Sequence, residues 1–314
     1  MAASGLVSSM PEPGRRIFVV GEHGQVAQIL GRECATRGHA VRLAGRAIAD
    51  ITDPLALSAA VADFQPELVI NAAAYTDSDK AEDEMDQALL LNRDGAANVA
   101  AAAANVRAPL IHISTDYVFD GSKPSPYVET DATNPISVYG ASKLAGEAAI
   151  ARVCNDYVML RTSWVYSPIG NNFVKTMLRL ASQRDEIGVV DDQWGAPTFA
   201  GDMATAIVSI GEALLTASDR SKLIGIYHAT GSGETSWYGF ARAIMKGSAD
   251  KGGPSCRVRP ITTREYPTRV NRPANSRLDC SKLARVFGIR MPAWESSLDI
   301  CLDQLIDTPQ RVSR

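Results

Sequence analysis

The sequence has no closely spaced cysteines. Cys34, Cys154, Cys256, Cys280 and Cys301 are scattered along 314 residues without a CxxC pair, which argues against a disulfide scaffold and fits thiols kept reduced in a cytosol. The four histidines, His23, His39, His112 and His228, lack the spacing of a metal motif such as HExxH, so no structural metal is expected. There is no long basic block, and a formal net charge of −3 gives no support for a nucleic-acid partner. No apolar run has the length to cross a bilayer; AANVAAAAANV, at Ala96–Val106, is too short and too weakly apolar. The opening MAASGLVSSMPEPGR lacks the apolar centre of an export signal. Residues 1–15 are expected to form a disordered leader, with Met10 as a second candidate start. Internal repeats and low-complexity tracts are missing too.

What is present is an alternation of strand and helix. RRIFVVG, HAVRLAG, ELVINAAA, APLIHIST and YVMLRTSWVY are short apolar runs that read as buried strands. Between them, QVAQILGRECATRG has helical spacing with a Gly38 stop, and DPLALSAAVADFQP has Asp53 as N-cap and Pro54 at the first helical position. AEDEMDQALLLNRDGAANVAAAAANV supplies one long or two consecutive helices, and SVYGASKLAGEAAIARVC another. Continuous apolar strands separated by helices imply an α/β fold: a Rossmann-like, doubly wound parallel sheet covered on both faces. After about Ser167 the rhythm loosens. IGIYHATG reads as one more strand, and SWYGFARAIMKG as a helix capped by Ser236. The expected division is a nucleotide-binding domain over 16–165 and a smaller C-terminal α/β substrate domain over 166–314, with some segments returning to the first.

Directly after the first strand comes GEHGQVA. A dinucleotide site needs a tight turn, a bare backbone beneath the pyrophosphate, and a small residue where helix meets strand. Gly21, Gly24 and Ala27 meet these needs with the spacing GxxGxxA, although glycine at such a turn also serves plain turn geometry. A site for NAD usually has an acid just past the second strand. Gly45 and Arg46 stand there instead. Arg46 suits a 2′-phosphate, which favours NADPH and leaves NADH open, and an ordinary surface arginine would look the same. Asp50 and Ile51 fall where the adenine would lie, with a turn role for Asp50 as the alternative. Ala72, Ala73 and Ala74, after the third strand, leave room for a ligand or for tight packing.

The fourth strand delivers Ser114, Thr115 and Asp116 to the same sheet edge, where open α/β sheets bind ligands. The next helix places Tyr139 and Lys143 one turn apart on one face. An ammonium near a phenol stabilises the phenolate and lowers the phenol's pKa toward the range where a general acid works. With Thr115 polarising the same carbonyl, the set suits hydride delivery to a ketone with proton donation from Tyr139. Tyr and Lys four apart also occur on many surface helices; the chain order of glycine loop, hydroxyl strand and Tyr–Lys helix is what points to one cleft.

GEHGQVA, NAAAYTDSDKAE, ISTDYVFDG, YGASKLAGE, RTSWVY, GNNFVKTML, DDQWGAPT and RPANSRLD together resemble the extended short-chain dehydrogenase/reductases, and more narrowly the dTDP-4-dehydrorhamnose reductases, from Ile17 to Trp294. The resemblance implies NADPH-dependent reduction of the C4 ketone of a dTDP-linked 6-deoxysugar, with dTDP-L-rhamnose as product. Tyr139 would be the catalytic acid, Lys143 its tuner and a holder of the nicotinamide ribose, and Thr115 a substrate contact that tunes the proton transfer, with Asp116 beside it as a further substrate-binding residue. Gly24, Gln25 and Val26 would lie under the pyrophosphate and Ala72–Ala74 beside the cofactor. Trp164 would pack on the deoxysugar, Asn172 would reach the substrate, and Arg272 and Asn275 would close the nucleotide pocket. Some members dimerise through a magnesium ion held partly by an acid on the first helix. Ile29 stands there and cannot ligate a cation, so a monomer or a weak homodimer is expected. A reductase or epimerase of another nucleotide sugar, and a non-catalytic NADP-binding regulatory subunit, are the competing readings. Thr115, Tyr139 and Lys143 argue against the last.

Overall fold

A computed structural model describes residues 14–306. Most of the expected leader, with Met10, lies outside the described residues. Arg15 already belongs to the folded body: its backbone N–H reaches His39 Nδ1 at 3.2 Å and its guanidinium reaches Glu67.

Five strands run in chain order: β1 (Arg16–Val20), β2 (Ala40–Ala44), β3 (Leu68–Asn71), β4 (Leu110–Thr115) and β5 (Tyr157–Thr162). With Gly225–His228 they form one six-stranded sheet in the order 225–228, β5, β4, β3, β1, β2, every pair parallel. Side chains alternate across a strand, so β1 feeds two cores. Ile17 and Val19 pack with Leu30 of α1 (Gln25–Thr36) and with Ile207 and Ile210 of the Ala200–Thr216 helix. Phe18 and Val20 pack on the other face with Val61, Val99 and Ile150. Both faces are covered, so most residues of these strands are apolar, and polar ones such as Asn71, Ser114, Thr115, Arg161 and Thr162 gather at the carboxyl ends. Strand 225–228 and helix 200–216 are later segments that join the sheet and its covering layer. A third core, with Val174, Phe240, Trp294 and Leu298, lies under helices 173–181, 237–250 and 294–306.

Two elements differ from their sequence patterns. YVMLRTSWVY does not run as one strand: it breaks at Trp164, whose φ is +50°, and Val165–Tyr166 pairs instead with Thr198–Phe199. The run ending in the alanine-rich segment breaks at residues 82–84, after a short helix at Ser78–Ala81, and then continues from Met85 with a π-helical turn at Leu90–Gly95 between α-helical Met85–Leu89 and Ala96–Asn105. Such insertions often mark functional sites. Here the turn sets Asn92 to accept from the Tyr75 backbone N–H at 2.8 Å and to donate to Ser142 at 2.9 Å. It thereby ties the loop after β3 to the Tyr139 helix.

Candidate active site

Strand order reverses between β1 and β3: the chain leaves β1 toward β2 on one side and returns to β3 on the other. Loops diverge at such a point and a crevice opens at the carboxyl edge of the sheet. Gly21 leaves β1 at a φ of +116°, and a Cβ there would press on the Ala72 backbone 3.3 Å away. Gly24 caps α1 without a side-chain hydrogen bond, and a Cβ on it would meet nothing within 4 Å. The start of α1 therefore carries no side-chain cap and has open space beside Gly24, at the positive end of a helix, which suits phosphate.

A cavity of about 630 Å³ lies over this loop. Gly24, Gln25, Val26, Ala72, Ala73, Ala74, Thr115, Asp116, Tyr139, Lys143, Trp164, Asn172 and Arg272 all line it. The remaining sequence candidates do not. Gly21 turns the chain beneath it. Asp50 holds its own turn, accepting from the Thr52 N–H and hydroxyl at 2.9 and 2.8 Å, and this keeps its carboxyl below the usual range. Ile51 is buried and its carbonyl is bound by Asn98. Arg46 is 75% exposed, with Asp50 3.6 Å away. Asn275 donates to the carbonyls of Lys123 and Ser125 and accepts from Arg277, so it fixes the 123–125 loop and does not face the cavity. A second cavity, about 570 Å³, lies at the opposite edge among Arg15, Gln65 and Arg107, away from these groups.

The Tyr139 helix, Val138–Val153, is started by Ser137, whose hydroxyl accepts from the Gly140 N–H. Gly140 is pressed against the Tyr117 carbonyl and leaves no room for a Cβ. This contact seats the helix on the turn after β4 and brings the Tyr139 phenol to the Thr115 hydroxyl. Tyr117 meets the Tyr139 ring edge-on at 5.4 Å. Burial holds the Tyr139 phenol well above its ordinary pKa, with the Thr115 hydrogen bond pulling the other way. The expected lowering by Lys143 is not what the geometry gives. The Lys143 ammonium, 2% exposed, donates to the Ile113 carbonyl at 2.7 Å and lies 3.4 Å from His112 Nε2, so its charge is directed at the sheet.

Burial brings Lys143 itself down to about 8, opposed by Glu147 one turn along. Its folded pKa thus lies below the unfolded value near 10.5. The unfolded chain binds the extra proton between these limits, so the charged lysine costs stability below about 8 and the cost fades as pH rises toward 10.5. His112 is kept neutral by burial and by the lysine.

On the other side of the cavity Trp164 stacks on Trp237 at 3.6 Å, with Phe173 behind. The left-handed backbone at Trp164 is strained for a non-glycine residue, and Gly195 makes room for the indole. Asn172 caps the next helix and donates to Gln25 at 2.9 Å, as does Ser167, so the 167–172 loop is fastened to the start of α1. Arg272 donates to Asp79 at 2.6 Å and approaches the Tyr117 hydroxyl at 3.5 Å. Asn92, Ser142, Trp237 and Asp79 carried no sequence signal of their own, since each is brought in by packing between distant segments.

The chain matches a family model described as RmlD substrate binding domain over residues 15–306. It is 47% identical over 282 residues to a dTDP-4-dehydrorhamnose reductase of Sinorhizobium fredii, covering 90% of this chain and 95% of that protein. A second, from Burkholderia thailandensis, is 42% identical and covers 93% of this chain and 99% of its own. The crystal structure of the Bacillus anthracis dTDP-4-dehydrorhamnose reductase in complex with NADP superposes with a TM-score of 0.86 at 37% identity, covering 93% of this chain and 99% of that one. By sequence and by fold, the chain belongs to the dTDP-4-dehydrorhamnose reductase family.

Proposed function

We propose that this chain reduces the C4 ketone of dTDP-4-dehydro-6-deoxy-L-mannose, dTDP-4-dehydrorhamnose, with NADPH, giving dTDP-L-rhamnose for surface polysaccharide. The observation that carries this reading is one cavity in which Thr115, Tyr139 and Lys143 stand beside an uncapped helix N-terminus. The bare Gly24 backbone and the free N–H groups of α1 fit a dinucleotide pyrophosphate, with Gln25 and Val26 under it and Ala72–Ala74 alongside. Arg46 is exposed and able to meet a 2′-phosphate, which favours NADPH, with NADH as the second cofactor. When bound, the reduced nicotinamide supplies the hydride for the carbonyl carbon. Tyr139 gives its proton to the ketone oxygen, Thr115 orients that oxygen, and Lys143 stabilises the phenolate left behind. The paired indoles form an apolar platform for the deoxysugar, and Arg272 and Asn172 bound the substrate side.

The segments from 16 to 165 form the cofactor half and most later segments the substrate half. Ile29, partly buried against the first core, offers no ligand for a shared cation, so a monomer or a weak homodimer is the proposed state. No helix among the described residues is long and apolar enough to cross a membrane, and five unpaired cysteines fit a reducing compartment such as the cytoplasm.

The test supplies dTDP-glucose with its dehydratase and epimerase and follows loss of NADPH absorbance. Oxidation that needs all three components is expected; none, with a control reductase active, sinks the reading. A second expectation concerns pH. The reaction needs Lys143 charged, so kcat/KM should lose a further tenfold per unit as pH rises above about 8, and Lys143→Met should be slow and lack that limb. A limb unchanged in Lys143→Met would assign it to another group.

A further inference from the structure

Asp116 is an acid that the reaction above does not use. It is 3% exposed, lines the cavity, and leaves its Oδ2 buried without a hydrogen-bond partner. Its Oδ1 accepts from the Thr115 hydroxyl at 3.0 Å, and Ser276 also bonds the carboxyl. The Thr115 oxygen accepts from the Tyr117 N–H at 3.2 Å and meets the Tyr139 phenol. A phenol, a threonine hydroxyl and a carboxyl thus form one short chain.

A hydroxyl has one proton to give and two lone pairs to receive. One lone pair on Thr115 is taken by the Tyr117 N–H. If Asp116 is ionised it can only accept, so it takes the threonine proton. The second lone pair then invites the Tyr139 proton, turning it away from a ketone. If Asp116 carries a proton it can donate to that second lone pair. The Thr115 proton is then free to point at the ketone oxygen or the phenol oxygen, and the Tyr139 proton is free for the ketone. We propose that Asp116 is a positioning residue that acts in its protonated form, setting the direction of the Thr115 hydrogen bond and so aiming the Tyr139 proton at the substrate. The proposal rests on the reductase reading.

The surroundings agree with an acid that keeps its proton. Burial raises the Asp116 carboxyl to about 6, against hydrogen bonds from Ser276 and Thr115. The titratable groups that interact with it are Tyr139 from the helix and Tyr117 from its own turn, and Arg272 from the loop beyond lines the same cavity. The Arg272 guanidinium is paired with Asp79 and approaches the Tyr117 hydroxyl. Lys143 is turned to the Ile113 carbonyl. A diphosphate-bearing substrate brings negative charge, which favours the protonated form further.

The experiment is the pH profile of kcat/KM in wild type and in Asp116→Asn. An asparagine amide donates permanently to Thr115 and so imitates the protonated acid. Wild type should fall about tenfold per pH unit above about 6 and more steeply above about 8 as Lys143 discharges. Asp116→Asn should change less than about twofold between pH 6 and 8 and keep only the Lys143 limb. Thr115→Val should be slow, and adding Asp116→Asn to it should change little, because the carboxyl has lost the hydroxyl through which it acts. NADPH binding by each variant reports that the fold and the cofactor half are intact. A wild-type fall that persists unchanged in Asp116→Asn, or a flat wild-type profile below 8, overturns the proposal while active wild type leaves the reductase reading standing. Additive losses in the double variant overturn it as well.

Discussion

Tyr139→Phe is expected to lower kcat by about 10²–10⁴-fold, the range that a positioned general acid contributes, with little change in NADPH affinity. The substitution keeps the ring, its edge-on contact with Tyr117 and the helix start at Ser137, and removes one hydroxyl. That hydroxyl is hydrogen-bonded to Thr115. Burial holds it protonated throughout the physiological range, so the acid is always loaded and the difficulty lies in stabilising the phenolate. The proposed positive charge for that task is Lys143, one turn away, whose ammonium would have to leave the Ile113 carbonyl to which it donates here. Single-turnover rates separate the chemical step from product release, and a dye-free fluorescence titration with NADPH checks the cofactor half. A rate near that of wild type would remove Tyr139 from the chemistry.

Much of this site was legible in the sequence because strand ends and helix starts are local. The apolar runs at Ile17–Val20 and Leu110–Ile113 mark buried strands, and the residues just after each run fall on the ligand edge. Gly24, Thr115, Tyr139 and Lys143 could therefore be placed by chain order alone. Their hydrogen-bond directions could not. The helix spacing brings Tyr139 and Lys143 together, but the Ile113 carbonyl draws the ammonium to the sheet, and no pattern of residue types encodes that competition. Asn275 failed for a related reason. The family resemblance puts it where the nucleotide pocket closes, while its amide donates to backbone carbonyls from about 150 residues away. The break at Trp164 was hidden because β-branched and aromatic residues on both sides read as one strand. The left-handed backbone at Trp164 and the pairing of Val165–Tyr166 with a later segment show the turn.

Glu147→Gln is expected to cost about 3–5 kcal/mol of stability, measured by denaturant unfolding, because it strands a buried guanidinium. Glu147 and Arg161 are each at most 4% exposed and are joined by two bonds of 3.0 and 2.7 Å, with the Ser114 hydroxyl at 2.5 Å on the same carboxylate. Arg161 has little else: Nη1 has no hydrogen-bond partner, and the guanidinium rests over the Phe119 ring at 5.1 Å. The neighbouring His228 is held neutral by burial and by Arg161, its pKa near 3, so it adds no charge to compensate. Replacing both partners, Glu147→Gln with Arg161→Met, should recover most of the loss, since the main cost is the unpaired charge and the pair itself gains little over apolar packing. The same carboxylate is the charge that opposes the desolvation of Lys143. Where Glu147→Gln remains folded, the basic limb of its kcat/KM profile should therefore move below about 8, which a purely structural ion pair would not do. A limb that stays in place would separate the two roles and leave Glu147 to the fold alone.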